Sequence, residues 1–360
     1  MRIVVDINHP AHVHYFKHFV WQMQKKGHEI LITAIDKEVS IDLLDRYHLS
    51  YVSLGHHQKG IGRKILNIPL MDLRMIRAVR RFNPDIFIGF GSIRAAHASR
   101  ILRKPCIALD DTEHATFEHI LYVPCTDAII TPIWFKKDFG KKHIRYDGYT
   151  ELAYLHPAYF SPDETVLKEV NLSKNDIFVV LRFVSWNASH DRGHMGIVNK
   201  IKLVRELVSF GKVFISSEGV LPLELEQYRI CIPPDRLHHL LYYATLYIGE
   251  GATTASECAV MGTHALYVNT LRLGYTDEEE EAYGLVYTFS DPAAMEQDVI
   301  KKAKELLRNK NLKAEGREKR VKLLKDKIDL TQYIIWFVEQ YPDSLRATWK
   351  ETKSPGFDMK

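Results

Sequence analysis

Residues Tyr247–Thr270 read YIGEGATTASECAVMGTHALYVNT, a stretch that changes character twice. A short apolar run, Leu246–Ile248, enters the bend Gly249-Glu250-Gly251; small and hydroxyl residues follow, then Glu257, then a second apolar run, Ala265–Val268. The pattern predicts strand, tight glycine turn, helix, loop and strand. Gly249 and Gly251 are expected to take positive φ or to let another backbone come close. The helix is expected to start near Ala252–Thr254 with unpaired N–H groups facing the turn. Such a start binds anions through free donors and the positive end of the helix dipole. Thr253, Thr254 and Ser256 add hydroxyls, and Glu257, about one turn in, is placed to accept from a sugar hydroxyl. A glycine-tightened turn with no ligand would carry the same local sequence, so the remainder of the chain has to decide.

The upstream half repeats the same alternation. Apolar runs at Arg2–Ile7, Glu29–Ala34, Tyr51–Leu54, Asp85–Phe90, Cys106–Leu109 and Ala128–Thr131 are short and β-branched. Helical spacing separates them, as in His12–Lys26, where Phe16, Phe19, Val20 and Met23 share a face. Asn8-His9-Pro10-Ala11 reads as a break, and His56–Lys64 as a basic loop. Alternating strands and helices mean a parallel sheet covered on both faces, with ligands beyond the carboxyl ends of the strands. Three polar clusters fall at those ends: Asn8–His14, Gly89–Arg94 and Asp110–His114. His12 suits a general base or a ligand contact, because imidazole titrates near working pH; a solvated or capping role is the plain alternative. Asp111 and Glu113 could hold a base or meet sugar hydroxyls, or simply cap a loop.

Tyr146–Pro157 is aromatic and turn-rich and marks the crossover into a second domain. That domain opens with the strand Ile177–Leu181, followed by the polar loop Arg182–Gly193. Arg182 has the fork geometry for a phosphate, and His190 and Asp191 could touch sugar or phosphate. Arg229–Ile232 reads as a further strand, the acidic run Asp277–Glu281 as a solvated helix start, Leu330–Glu339 as a final amphipathic helix, and Pro342–Lys360 as a frayed tail. The division is 1–150, 151–341 and a tail 342–360, with the last helix free to return to the first domain.

Composition narrows the class. A chain of 360 residues exceeds one comfortable core, and 46% hydrophobic with 26% charged residues is ordinary for a globular protein. A net charge of +4 suits phosphorylated ligands or a loose association with the inner face of a membrane, but not a committed nucleic-acid binder. The four cysteines are scattered and read as buried thiols of a reducing compartment. No signal-peptide layout or membrane-length apolar run is visible, so a cytoplasmic location is expected.

Four segments carry a resemblance: DINHPAHVHYF at Asp6–Phe16, YDGYTELAYLHP at Tyr146–Pro157, SWNASHDRG at Ser185–Gly193 and GEGATTASECAVMGTHAL at Gly249–Leu266. With the order of elements, the chain resembles an uncharacterised prokaryotic family of GT-B-like proteins, related to GT-B glycosyltransferases and non-hydrolysing UDP-N-acetylglucosamine 2-epimerases. The resemblance implies an α/β fold of two doubly wound Rossmann-like domains facing across a cleft. It implies glycosyl transfer from a nucleotide sugar, such as a UDP sugar, to a cell-surface or lipid-linked glycan, with no metal and no cofactor beyond that co-substrate. Sugar-nucleotide epimerisation and binding without turnover stay as alternatives.

Gly251, Thr254 and Glu257, followed by Gly262, are similar to the donor-site signature of the lipid-intermediate N-acetylglucosaminyltransferase of peptidoglycan synthesis. There the glycine and hydroxyl residues meet the phosphates and the glutamate holds the ribose. The implied nucleotide-sugar set is therefore Gly249, Gly251, Ala252, Thr253, Thr254 and Glu257, with Arg182, His190 and Asp191. His12-Val13 matches a His-Val that ends a glycine-rich turn in that enzyme. The chain departs from the pattern at Pro10, which stands among histidines where glycines are usual, and at His264, which replaces a proline.

Overall fold

A computed structural model describes residues 1–56, 61–184, 195–217 and 219–351. The strands are β1 (Arg2–Ile7), β2 (Glu29–Asp36), β3 (Tyr51–His56), β4 (Ile86–Phe90), β5 (Cys106–Leu109), β6 (Ala128–Pro132) and β7 (His143–Tyr146), followed by β8 (Phe178–Phe183), β9 (Lys212–Ser217), β10 (Leu246–Gly249), β11 (Ala265–Val268) and β12 (Val286–Phe289). They form a seven-stranded sheet, β3-β2-β1-β4-β5-β6-β7, and a five-stranded sheet, β12-β11-β10-β8-β9. Every pairing is parallel. This is the α/β architecture expected. Every residue of β4, β5, β6, β10 and β11 is buried. Helices on both faces leave such strands no solvated side, which is why they read as unbroken apolar runs.

Contacts group the chain into two units, Met1–Tyr154 with Ile328–Lys360, and Leu155–Lys327. In the first unit the helix Leu330–Glu339 packs on the helix Pro10–Lys25. Gln332 Nε2 donates to Gln22 Oε1 at 2.8 Å and Lys26 Nζ to Glu339 Oε2 at 2.6 Å. Seven of its residues, from Leu330 to Val338, are buried, while Gln332, Trp336 and Glu339 form one outer stripe, so it is the amphipathic helix expected, with a broad apolar side.

Several local expectations are corrected. The break read at Asn8–Ala11 is confined to Asn8 and His9: Pro10 already sits in the first helical turn, where it loses no hydrogen bond, and the His9 side chain caps Ala11 N. Arg229–Ile232 makes only one bridge, Ile215 to Arg229, and is not a strand. The tail holds a further helix, Asp343–Glu351, tied back by Ser344 Oγ donating to Phe337 O at 2.7 Å. Of the cysteines, Cys106 and Cys258 are buried, Cys125 is half-buried and Cys231 is exposed.

Candidate functional site

In the second unit β8 leads outward to β9, and β10 returns on the other side of β8. Their carboxyl ends flank the switch point of the sheet, where open α/β sheets receive ligands. The register pairs Gly249 with Arg182, so Arg182 stands level with the bend. Its guanidinium Nη1 donates to Ser216 Oγ at 3.3 Å.

The bend delivers the chain into the helix Ala252–Met261. Gly251 is the N-cap, at φ −94° and ψ 121°, and as a glycine it brings no side-chain cap of its own. The Gly251 carbonyl first accepts from Ala255 N, at 3.3 Å. The N–H groups of Ala252, Thr253 and Thr254 therefore have no helical partner, and no other partner among the described residues. The other end is closed by cations. Gly262 takes φ +78° as C-cap, Arg317 donates to the carbonyls of Met261 and Tyr242, and Arg320 Nε donates to Val260 O at 2.9 Å. Positive charge at the carbonyl end suits the helix dipole and leaves the amide end as the unneutralised one.

Neither glycine of the bend has positive φ. Close approach explains Gly249 alone. A Cβ there would lie 2.1 Å from Tyr247 Oη and 3.1 Å from the Arg182 carbonyl oxygen. Tyr247 and Gly249 are two residues apart on one face of the strand, and the phenol lies along it. Burial raises the Tyr247 hydroxyl well above its ordinary range; Thr254 lies beside it, but no partner among the described residues meets hydrogen-bond geometry. Among the described residues a Cβ on Gly251 would meet only Val184 Cγ1, at 3.7 Å, which is ordinary contact.

Glu250 was missed as a functional residue. It is 1% exposed, accepts Val184 N at 2.9 Å and Ile197 N at 2.8 Å, and so holds both ends of the segment after β8. A carboxylate between two glycines directly after an apolar strand is the signal that could have found it, since a buried charge needs partners. Glu257 is also buried, and its Oε1 lies 2.8 Å from His238 Nε2. His190 and Asp191 lie outside the described residues.

In the first unit, β1, β4 and β5 are neighbours, so the three polar clusters share one edge of the sheet. Asp6, fully buried, accepts from Thr33 Oγ1 at 2.7 Å, Ser92 Oγ at 2.5 Å and Arg94 Nε at 3.0 Å. This network fixes the turns after β1 and β4. His12 packs 5.0 Å from Phe90, and its Nδ1 is buried with no partner among the described residues. Burial, aided by His9, lowers its pKa well below the ordinary value, so the imidazole is neutral. At the end of β5, Asp110 accepts from Tyr122 Oη and from Thr112 N at 2.8 Å, and its Oδ2 lies 3.0 Å from His119 Nε2. Burial and then the Asp110 charge push Asp111 up to about 7. Glu113 turns outward and accepts Lys136 N at 2.9 Å. His12 and Asp111 thus stand at one sheet edge of one unit; Arg182, Glu257 and the bend belong to the other.

Two doubly wound parallel sheets, the second with a glycine-led helix start at its switch point, define a protein of the GT-B fold class. A UDP-N-acetylglucosamine 2-epimerase from Neisseria meningitidis bound to UDP-GlcNAc is similar with TM-score 0.69 at 13% identity, over 94% of this chain and 99% of that one. A spinosyn forosaminyltransferase is similar with TM-score 0.62 at 14% identity, over 96% and 99%. The chain belongs to the family described as protein of unknown function (DUF354), whose model matches residues 1–334. An uncharacterised relative, MJ0665 of Methanocaldococcus jannaschii, is 26% identical over 270 residues, 72% of this chain and 79% of the relative.

Proposed function

We propose that this protein is a GT-B-type glycosyltransferase. It takes a UDP sugar as donor and passes the sugar to a hydroxyl of a glycan or lipid-linked precursor, without a metal ion. The observation that carries the reading is the glycine-led start of the helix Ala252–Met261, whose first N–H groups have no partner among the described residues, at the switch point of its sheet, with Arg182 level with it on the adjoining strand.

A base takes the acceptor proton, and the acceptor oxygen bonds to the anomeric carbon. The bond from that carbon to the diphosphate breaks, and UDP leaves with the electron pair. Charge grows on the departing diphosphate, where the fixed N–H donors of Ala252, Thr253 and Thr254 act; one such donor contributes about 3 kcal/mol at a transition state. Arg182 assists at the phosphates, with His190 and Asp191 assigned to the same role. Glu257, oriented by His238, accepts from the ribose. Asp111 is the first candidate for the base, because its carboxyl titrates at about 7. His12, neutral and with an unpartnered Nδ1, is the second.

A second reading is epimerisation at C2 of the donor sugar, the activity named for the similar protein of Neisseria meningitidis. One experiment separates them. The protein is incubated with UDP-N-acetylglucosamine, with and without candidate acceptors, and UDP and the C2 epimer are quantified. Transfer gives acceptor-dependent UDP. Epimerisation gives the isomer with no UDP, and neither product over the whole acceptor panel contradicts catalysis.

A further inference from the structure

The helix Ile61–Val79 is apolar on two sides. Met71, Met75 and Val79 face the core. On the opposite side Leu66, Leu70 and Leu73 follow at spacings of four and three residues, one stripe of a helix surface, and Leu66 is 84% exposed. The stripe continues as Arg77, Arg80 and Arg81, all exposed. A helix with leucines on its water side lacks a partner there, because an ordinary surface helix is polar on that face.

Two neighbours extend the surface. His97, on the helix Ile93–Leu102, lies 2.8 Å from Asp72 of the first helix through Nδ1, and 3.2 Å from the Leu121 carbonyl of the helix Thr116–Tyr122 through Nε2. The three helices therefore lie side by side as one layer. The middle helix exposes Ile101 (60%), and the helix Thr116–Tyr122 exposes Ile120 (67%) and Phe117. Arg100 and Arg103 are exposed at the end of the middle helix. Asp72, paired with His97, and Glu118 are the acidic residues of the three helices. Among the described residues no carboxylate pairs with Arg77, Arg80, Arg81, Arg100 or Arg103.

We infer that this layer docks on an anionic lipid surface, with the leucine stripe dipping into the headgroup region and the arginines meeting lipid phosphates. The charge selects the occupant. A second copy on the same face would bring arginine against arginine, whereas an anionic bilayer supplies opposite charge over a broad plane. No helix among the described residues is long and apolar enough to cross a membrane, so the attachment is at the surface. The inference does not depend on the donor chemistry of the second unit.

The test is flotation of the full chain with vesicles of mixed phosphatidylglycerol and phosphatidylcholine, and with vesicles of phosphatidylcholine alone. Binding is expected to the mixed vesicles only, and to weaken with added salt. R77Q/R80Q/R81Q should weaken it about hundredfold, from about fivefold for each arginine. L66Q/L70Q/L73Q should weaken it at least tenfold. All six positions are exposed, so both variants should melt with the parent, and the melting curve confirms that they fold. No binding at low salt, equal binding to both vesicles, or binding indifferent to either variant overturns the inference. So does a dimer in sedimentation that the leucine variant abolishes, since the occupant is then a second copy.

Discussion

Gly249→Ala probes what the bend is built around. The added Cβ would lie 2.1 Å from Tyr247 Oη, 2.5 Å from Tyr247 Cζ and 3.1 Å from the Arg182 carbonyl oxygen. The carbonyl belongs to the adjoining strand and moves only with the sheet, so the phenol must give way. It is fully buried, with packed neighbours on every side. Overpacking of this kind costs about 1–3 kcal/mol. For a unit the size of Leu155–Lys327, each kcal/mol lowers Tm by roughly 2–4 °C. Tyr247→Phe alone should be neutral or stabilising, since it removes a buried hydroxyl with no partner among the described residues. In the double variant the nearest clash is gone and the 2.5 Å contact remains, so about 1 kcal/mol of the loss should return as coupling. Urea unfolding of the four proteins measures all three quantities. A Gly249→Ala cost below about 0.5 kcal/mol, with no coupling to Tyr247→Phe, would refute the reasoning. A stable Gly249→Ala that had lost UDP binding would show instead that this glycine faces ligand.

Glu279 gives a pH signature. Burial raises its carboxyl from 4.5 to about 8. Between those values the unfolded chain has lost the proton and the folded chain keeps it, so stability falls as pH rises from about 4.5 to about 8. At pH 7 the penalty is about 3 kcal/mol. Glu279→Gln, which can still accept from Ser256 Oγ, should recover most of it at pH 7 and little at pH 4.5; equal unfolding free energies for the two proteins at both values would contradict this. If Asp111 is the base, turnover should rise as pH passes through about 7, and Asp111→Asn should lower kcat by at least about a hundredfold and erase that limb. A pH–rate profile unchanged by Asp111→Asn passes the role to His12. Glu257→Gln should raise the Kd for UDP about tenfold, through a lost charged hydrogen bond, with little change in Tm; unchanged affinity by calorimetry would remove Glu257 from the site.

The architecture was legible where burial left only one kind of residue. Strands such as Ile86–Phe90 and Cys106–Leu109 are covered on both faces and could be read at once. The edge strand His143–Tyr146 was not, because its alternate residues are solvated and one exposed position is arginine. Pro10 looked like a break because a proline ends a strand, yet the same residue is well suited to open a helix. Leu330–Glu339 reads as amphipathic and is so, with Gln332, Trp336 and Glu339 at spacings of four and three along its outer side. The glycine bend and the helix start could be seen from residue type alone. The reason for Gly249 could not, because it rests on where a phenol two residues earlier comes to lie. Nor could the role of Glu250, whose partners are 66 and 53 residues away in the chain.

The central claim is that backbone donors at the start of the helix Ala252–Met261 hold a nucleotide diphosphate. Ala252→Pro tests it with little else disturbed. Ala252 is the first helical residue, where proline is tolerated, and Gly251 already has the extended conformation that a following proline demands. The substitution deletes one N–H donor and leaves the fold. Thermal shifts and calorimetric titration with UDP, GDP, CMP and dTDP are to be run on the parent and the variant. In the parent, a ligand at 100 times its Kd should add about 2.7 kcal/mol to the folded state. The account predicts that UDP binds the parent and that Ala252→Pro, melting at the same temperature, binds it at least tenfold more weakly. No nucleotide binding by the parent, or equal UDP affinity in the two proteins, would contradict it.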